Sequence, residues 1–363
     1  MLFRKKIVYI IILFVCFSTL LHARENQAIY DKAQKLIDEY TGDTSLLKRA
    51  YKLFEKIAIA NPNSKYVLVG YGRITYKSGY INYGNYDKSS LEQSKAYFEK
   101  AISIDSSFFD AYFYGTYPYL FSKNYEKAKQ MIGRANELSP NSAKVDVLFG
   151  EISKKEKDYN AVIKYAKSAI EKRPNSKILI DSYSLLSSAY KMLKKYDLAD
   201  SSHQEIINIE PKSPWARINY SSFLRKYRKD YDRAIKQGKI ALELMDFGMG
   251  HKILGDAYYA KAAHLHWKKK QYKESIKYFL LTIEHNPSKS NALYGLGIYY
   301  YRIGHKNKDK SHIIQAEKYL DKAVQIDPDH KQAIEQLAKS RKLLSWLGEW
   351  FHSSQRPRSL PLS

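Results

Sequence analysis

Ala316-Glu-Lys-Tyr-Leu-Asp-Lys-Ala-Val-Gln-Ile-Asp-Pro328 is the stretch whose reading decides the fold. A small residue opens it, Leu320 follows four places later, Ala323 three after that, and a Pro closes it five further on. Ala50-Tyr-Lys-Leu-Phe-Glu-Lys-Ile-Ala-Ile-Ala-Asn-Pro62 and Ala128-Lys-Gln-Met-Ile-Gly-Arg-Ala-Asn-Glu-Leu-Ser-Pro140 keep the same spacing. With substitutions it recurs from Ser94, Val162, Ala199, Ala234 and Ser275, giving eight copies that close at 62, 106, 140, 174, 211, 246, 287 and 328. The steps between them are 44, 34, 34, 37, 35, 41 and 41 residues.

Positions i, i+4 and i+7 fall on one stripe of an α-helix, so each copy presents a narrow apolar face to a neighbour. The small residues let that neighbour come close. The closing Pro cannot continue a helix but can begin the next one. Between these segments run others with an apolar-small pair and an aromatic: Leu186-Ser187 with Tyr190, Leu254-Gly255 with Tyr258, Leu296-Gly297 with Tyr300. Each copy therefore reads as two antiparallel helices joined by a short turn.

A base period of 34 residues with insertions resembles the tetratricopeptide repeat, over about residues 28–330. The resemblance implies an all-α fold, a right-handed α-solenoid of about eight helix pairs, occupying 24–330. Residues 331–352 read as a capping helix with Ala333, Ile334, Leu337, Leu343, Leu344, Trp346 and Leu347 over the last apolar face, because a terminal repeat must be covered. Residues 353–363 read as a disordered tail. Three copies exceed the period. Ser78 to Asp87 reads as a Gly/Asn-bearing loop or fork carrying Tyr80, Tyr83 and Tyr86, a candidate contact because exposed Tyr gives large area at low entropy cost. The extra residues in 260–270 and 302–310 fit lengthened helices.

Residues 1–23 have the layout of a secretory signal peptide: Arg4, Lys5 and Lys6, an apolar run from Ile7 to Leu21, then Ala23 before polar sequence. An uncleaved membrane anchor through residues 7–21 and a lipoprotein signal at Cys16 are the alternatives. The expected location is periplasmic or extracellular. Cys16 is the only cysteine, so no disulfide framework exists. Sixty-one Lys and Arg against 37 Asp and Glu give a net charge of +24, or +21 after loss of the leader. Such a charge attracts anionic partners without choosing among them.

In this family the first helix of each pair lines a concave wall that holds partner segments. Carried over copy by copy, the resemblance implies wall positions at Tyr66, Arg73, Tyr76, Phe113, Tyr117, Lys144 and Lys191 in the first half of the chain. In the second half it implies Lys252, Tyr259, Asn291, Tyr294 and Tyr301. Several of the aromatics are expected to serve the core between repeats instead. A subfamily clamps chaperone C-termini with paired Lys and Asn. Here the matching Asn positions hold residues such as Glu39, Arg73, Tyr117 and Glu151, so that clamp is not expected.

Catalytic signatures are missing. The Gly-x-x-x-x-Gly-Lys loop and His-Glu-x-x-His do not occur, and Gly248-Met249-Gly250 and Gly295-Leu296-Gly297 follow no strand-like run. His264 and His266 sit two apart, on different faces of a helix, and His305 and His312 have no carboxylate or Cys cluster around them. The sequence predicts no enzyme, cofactor or metal. It predicts an exported scaffold for protein–protein interaction in a bacterial-type cell envelope or secretion assembly, taking a protein or peptide segment that includes acidic ones. The alternatives are a binder of anionic polysaccharide or membrane surface and a non-catalytic subunit of an envelope enzyme. Nucleic acid is the least expected partner, because export opposes it.

Overall fold

The computed structural model describes residues 24–82 and 85–354. The export signal, Tyr83 and all of the tail beyond Ser354 lie outside the described residues. Seventeen α-helices run through the described residues, in two compact units that divide after Leu193. The first unit holds α1 (residues 24–38), α2 (Thr44–Ala60), α3 (Lys65–Ser78), α4 (Lys88–Ile104), α5 (Phe109–Phe121), α6 (Tyr125–Leu138), α7 (Ala143–Glu156), α8 (Tyr159–Glu171) and α9 (Ser176–Met192). The second holds α10 (Tyr196–Ile209), α11 (Pro214–Phe223), α12 (Tyr231–Leu244), α13 (Gly248–Ala263), α14 (Tyr272–His285), α15 (Ser290–Asn307), α16 (Lys310–Ile326) and α17 (Lys331–Ser354). Odd-numbered helices up to α15 are the first members of the repeats and even-numbered ones the second. The fifth copy is divided, with α9 in one unit and α10 in the other.

The repeat spacing becomes core packing directly. Phe54, Phe98, Phe279 and Leu320 all stand at the large apolar position of a second helix, and all are fully buried. Their small partners Ala50, Ala101 and Ala323 are equally buried. The first helices meet them with glycine. Gly70 of α3 lies against the ring of Phe54, and Gly295 of α15 lies against that of Phe279.

Helix starts are capped by short polar side chains. Asp43, Ser64, Asp87, Asn124, Asp158, Asn175, Ser213, Asp230 and Asp309 each accept a backbone N–H of the first turn. The turn between the two helices of a repeat has its own signature. Lys123, Lys157, Lys194, Lys229, Lys270 and Lys308 each adopt a left-handed conformation, with φ between 52° and 65°. Glycine takes that conformation without strain, and lysine does not.

The insertions resolve into structure. Within 78–87, β1 (Tyr80–Asn82) pairs antiparallel with β2 (Asn85–Tyr86) as a short hairpin. α13 runs on into a π-helical turn at His264–Lys268, and α15 extends to Asn307, so both later insertions lengthen first helices. A second π-helical turn follows α11 at Leu224–Arg228. α17 packs on α16 and buries Ala333, Leu337 and Leu347, whereas Ile334 and Trp346 stay 43% and 46% exposed instead of joining the cap. No described helix is long and apolar enough to cross a membrane.

Candidate functional site

The first helices of the N-terminal unit build one pocket together. α3 contributes Arg73, Tyr76 and Lys77, and α5 contributes Phe113, Tyr114 and Tyr117. α7 contributes Lys144 and Val147, and α9 contributes Lys177, Ile178 and Asp181 just past its N-cap, Asn175. Asp38 closes the other end from α1. The space enclosed is about 450 Å³, a size fit for a side chain or two of a bound segment.

Residues four apart on α3 and on α5 share one helix face, which is why Arg73 and Lys77, and Phe113 and Tyr117, point into the same space. Arg73 is 2% exposed. Its guanidinium donates to Asp38 at 2.5 Å and to the Gln34 side-chain oxygen, and it lies 3.7 Å over the Tyr114 ring. A buried guanidinium held by a carboxylate and a ring face is a rigid fixture.

An aromatic tier flanks these charges. The Tyr76 and Tyr117 rings are parallel within 2° at 5.9 Å, and Phe113 meets Tyr117 edge-on at 6.1 Å. The hairpin joins this tier, because Tyr86 stacks on Phe121 at 4.3 Å and lies 6.2 Å from Tyr76. Tyr80, its strand partner, remains 49% exposed beside it. Burial pushes the Tyr76 and Tyr114 hydroxyls up to about 12 and the Tyr117 hydroxyl higher still, so all three are neutral donors at physiological pH.

Lys77 and Lys144 are only partly solvated, whereas Lys177 is exposed. The Lys144 ammonium lies 4.6 Å and 4.7 Å from the ring centres of Phe109 and Phe113, and burial lowers its pKa. Burial, then the charge of Arg73 and to a lesser degree that of Lys177, bring Lys77 down to about 8, against an opposing pull from Asp38. Burial raises the Asp181 carboxyl despite the nearby Lys177. The site thus holds cations that would gain from an anion, beside rings that would gain from apolar cover.

Of the wall positions read from the sequence, Arg73, Tyr76, Phe113, Tyr117 and Lys144 are brought together in this pocket, with Tyr86 behind them. Tyr66 is elsewhere, packed between Tyr30 at 5.0 Å and Phe108 at 5.4 Å. Lys191 stands near the far end of α9, half-buried. In the second unit, Tyr259 packs on Phe279 at 6.2 Å, and Tyr301 lies at the edge of the cluster around Leu320. Tyr294 meets the His330 ring at 5.1 Å, and the same histidine lies 3.1 Å from the Asn291 side-chain oxygen. Lys252 is exposed on α13. These second-unit positions are spread over several helix contacts rather than gathered into one pocket.

Sequence reasoning missed Asp38, Lys77, Tyr114, Lys177 and Asp181. Some signal for them exists. Lys144 and Lys177 are both the second residue of a first helix, one repeat apart, and Lys77 lies one turn beyond the wall residue Arg73. Asp38 gave none, because its role depends on α1 docking against α3. Among the described residues, no group of three or more His, Cys, Asp or Glu side chains could hold a metal ion.

The tetratricopeptide-repeat profile matches residues 80–108, 255–288 and 298–330. No curated protein matches the chain. Among solved structures, the C-terminal part of a TPR repeat-containing protein from Cytophaga hutchinsonii is 16% identical, with a TM-score of 0.55, over 74% of this chain and 99% of its own. A chain of the Cut9–Hcn1 hetero-tetramer of the APC/C is 15% identical, with a TM-score of 0.44, over 84% of this chain. This chain spans 57% of that relative's length. Yeast Tom70 is 16% identical, with a TM-score of 0.46, over 87% of this chain and 61% of its own. The likeness to the Cytophaga hutchinsonii structure concerns the fold. With its eight spaced copies, its consecutive helix pairs and three matched repeats, the chain is an all-α protein that carries tetratricopeptide repeats, an architecture that supports a role as a protein-interaction scaffold.

Proposed function

We propose that the chain is an exported scaffold that holds a segment of a partner protein against the first-helix wall of its N-terminal unit, within a bacterial-type cell envelope or secretion assembly. The observation that carries this reading is the convergence of five successive first helices on one pocket lined by stacked aromatics and lysines. Aromatic anchors in a preformed pocket, with cations beside them, are the groups that dominate recognition of protein segments. The envelope context rests on the basic, apolar and small-residue order of residues 1–23. No step of this reading calls on catalysis or a cofactor.

The test is a pull-down from detergent-solubilised envelope with residues 24–363 as bait, washed at low and at high salt, beside a Tyr117→Ala bait. A discrete protein that survives high salt and is lost from Tyr117→Ala supports the scaffold. Recovery of only anionic polysaccharide or lipid, released by salt and indifferent to Tyr117→Ala, would replace it with a charge-driven surface binder. That second reading is favoured by exposed Tyr80 beside the pocket and by the +24 charge.

A further inference from the structure

The pocket is short of negative charge. Arg73 and Asp38 cancel each other in an ion pair, which leaves the ammonium groups of Lys77, Lys144 and Lys177 with one remaining carboxylate in the lining, Asp181, while Asp110 acts on Lys144 and Glu151 on Asp181 from outside it. Among the described residues, none of these three lysines has a carboxylate within ion-pair distance. The Lys144 and Lys77 ammoniums instead rest over rings, Lys77 at 5.7 Å from that of Tyr40. About two negative charges are lacking in a space of 450 Å³ with a neutral aromatic wall. Solvent-facing lysines elsewhere on the chain need no such explanation, since water satisfies them. Lys77 and Lys144, from two different helices, are half-buried in one partly dry space, and Lys177 stands exposed at its rim.

Resting on the scaffold reading above, we propose that the pocket is completed by two adjacent acidic side chains of the partner segment, flanked by an aromatic or apolar residue that covers the Tyr117–Phe121 tier. Their carboxylates seat among Lys77, Lys144 and Lys177 as charge-assisted hydrogen-bond acceptors. The neutral Tyr76 and Tyr117 hydroxyls are further donors on the same face.

Binding is then linked to a proton. Lys77 faces Arg73 and Tyr76 on its own helix, Asp38 and Tyr40 from the α1 end, and Tyr114 on α5. Lys144 on α7 and Lys177 and Asp181 on α9 complete the charged surroundings. With its pKa near 8 in the empty pocket, Lys77 is part-neutral in mild alkali, and an arriving carboxylate pair restores its charge. Affinity should fall as pH rises past about 8, and Lys77 should carry that fall.

Isothermal titration of residues 24–363 with the blocked peptide acetyl-Ala-Tyr-Glu-Glu-Tyr-Ala-amide, and with its Gln-Gln counterpart, tests this. The acidic peptide should bind, and its Gln-Gln counterpart should bind at least about thirtyfold more weakly. Lys77→Gln, Lys144→Gln and Lys177→Gln should each weaken binding about tenfold, while Lys236→Gln on α12 leaves it unchanged. From pH 7 to 9.5 affinity should fall for the natural chain and much less for Lys77→Gln. Far-ultraviolet circular dichroism confirms that each variant is folded. Equal binding of the two peptides, or indifference to all three lysine changes, overturns the acidic pair. So does displacement of the peptide by millimolar inorganic phosphate or acetate, which would mean a simple anion site. If the peptide fails but the envelope partner still requires Tyr117, the acidic-pair inference is wrong and the scaffold reading stands. If the peptide binds as described and no envelope protein is retained, the scaffold reading falls and the pocket chemistry remains.

Discussion

Replacing Gly70 by Ala tests whether the repeat spacing acts through close helix contact. In an open helix the change is favourable by about 0.5–1 kcal/mol, because glycine loses more backbone freedom on folding. At Gly70 the added Cβ would stand 2.4 Å from two carbons of the Phe54 ring and 2.5 Å from a third. Ordinary carbon contacts are about 3.5–4.0 Å, so ring or helix must retreat by about 1 Å. Phe54 has little room for that. It is fully buried and meets Tyr30 at 6.2 Å and Tyr71 at 6.3 Å, edge-on to both. Overpacking of this kind costs about 1–3 kcal/mol, which leaves a net loss of up to about 2.5 kcal/mol after the backbone gain. Gly133 on α6 is the control, since a Cβ there meets nothing within 4 Å and Gly133→Ala should stabilise by about 0.5–1 kcal/mol. Urea unfolding followed by circular dichroism reads both, and the Gly70→Ala/Phe54→Leu double variant should lose less than the sum of its singles. If Gly70→Ala stabilises as much as Gly133→Ala, the close-contact account of the repeat is wrong.

Three further outcomes are expected. Burial, with help from Arg302, pushes His266 down to about 4, against about 6.5 when unfolded, so the unfolded chain binds the proton more tightly. Stability of the second unit should therefore fall as pH drops from about 6.5 to 4, by on the order of 3 kcal/mol, and unfolding of His266→Phe across that range should show a shallower dependence. Lys157 at φ 65° is strained where glycine would not be, so Lys157→Gly should raise the unfolding free energy read from urea titration by about 0.5–1 kcal/mol, unlike Lys→Gly inside a helix. Asp200 accepts from Tyr220, Arg233 and Gln204 with its side chain 8% exposed, so Asp200→Ala should cost about 2 kcal/mol in thermal or urea unfolding.

The fold was legible because its determinant is local and repeated. Phe54, Phe98, Phe279 and Leu320 occupy the same position of the spacing and the same place in the core. The lysines of the inter-helix turns were not, since nothing in a Lys-Asn-Tyr or Lys-Asp-Tyr string announces a left-handed backbone where glycine is the usual choice. The hairpin at 80–86 was hidden for a related reason. Strands of three and two residues in a Tyr- and Asn-rich segment carry too weak a pattern to distinguish a strand pair from a loop. At the site, register supplied the side chains that project from one helix face, Arg73, Tyr76, Phe113, Tyr117 and Lys144. It could not supply Asp38, whose partner is 35 residues away, or show that Tyr66 turns toward Tyr30 and Phe108. It also could not tell which of the wall aromatics would be drawn into helix contacts, because Tyr259 and Tyr301 differ from Tyr117 only in what packs beside them.

The most direct test of the central claim places a photo-crosslinking phenylalanine analogue at Ile178, inside the pocket, and in a parallel chain at Ile59 of α2, which is 86% exposed away from it. Irradiated in envelope extract, the Ile178 chain should form a discrete covalent adduct that Tyr117→Ala removes, and the Ile59 chain should form none. An adduct at Ile59 alone, or equal adducts at both positions that persist in Tyr117→Ala, would contradict recognition through the first-helix pocket.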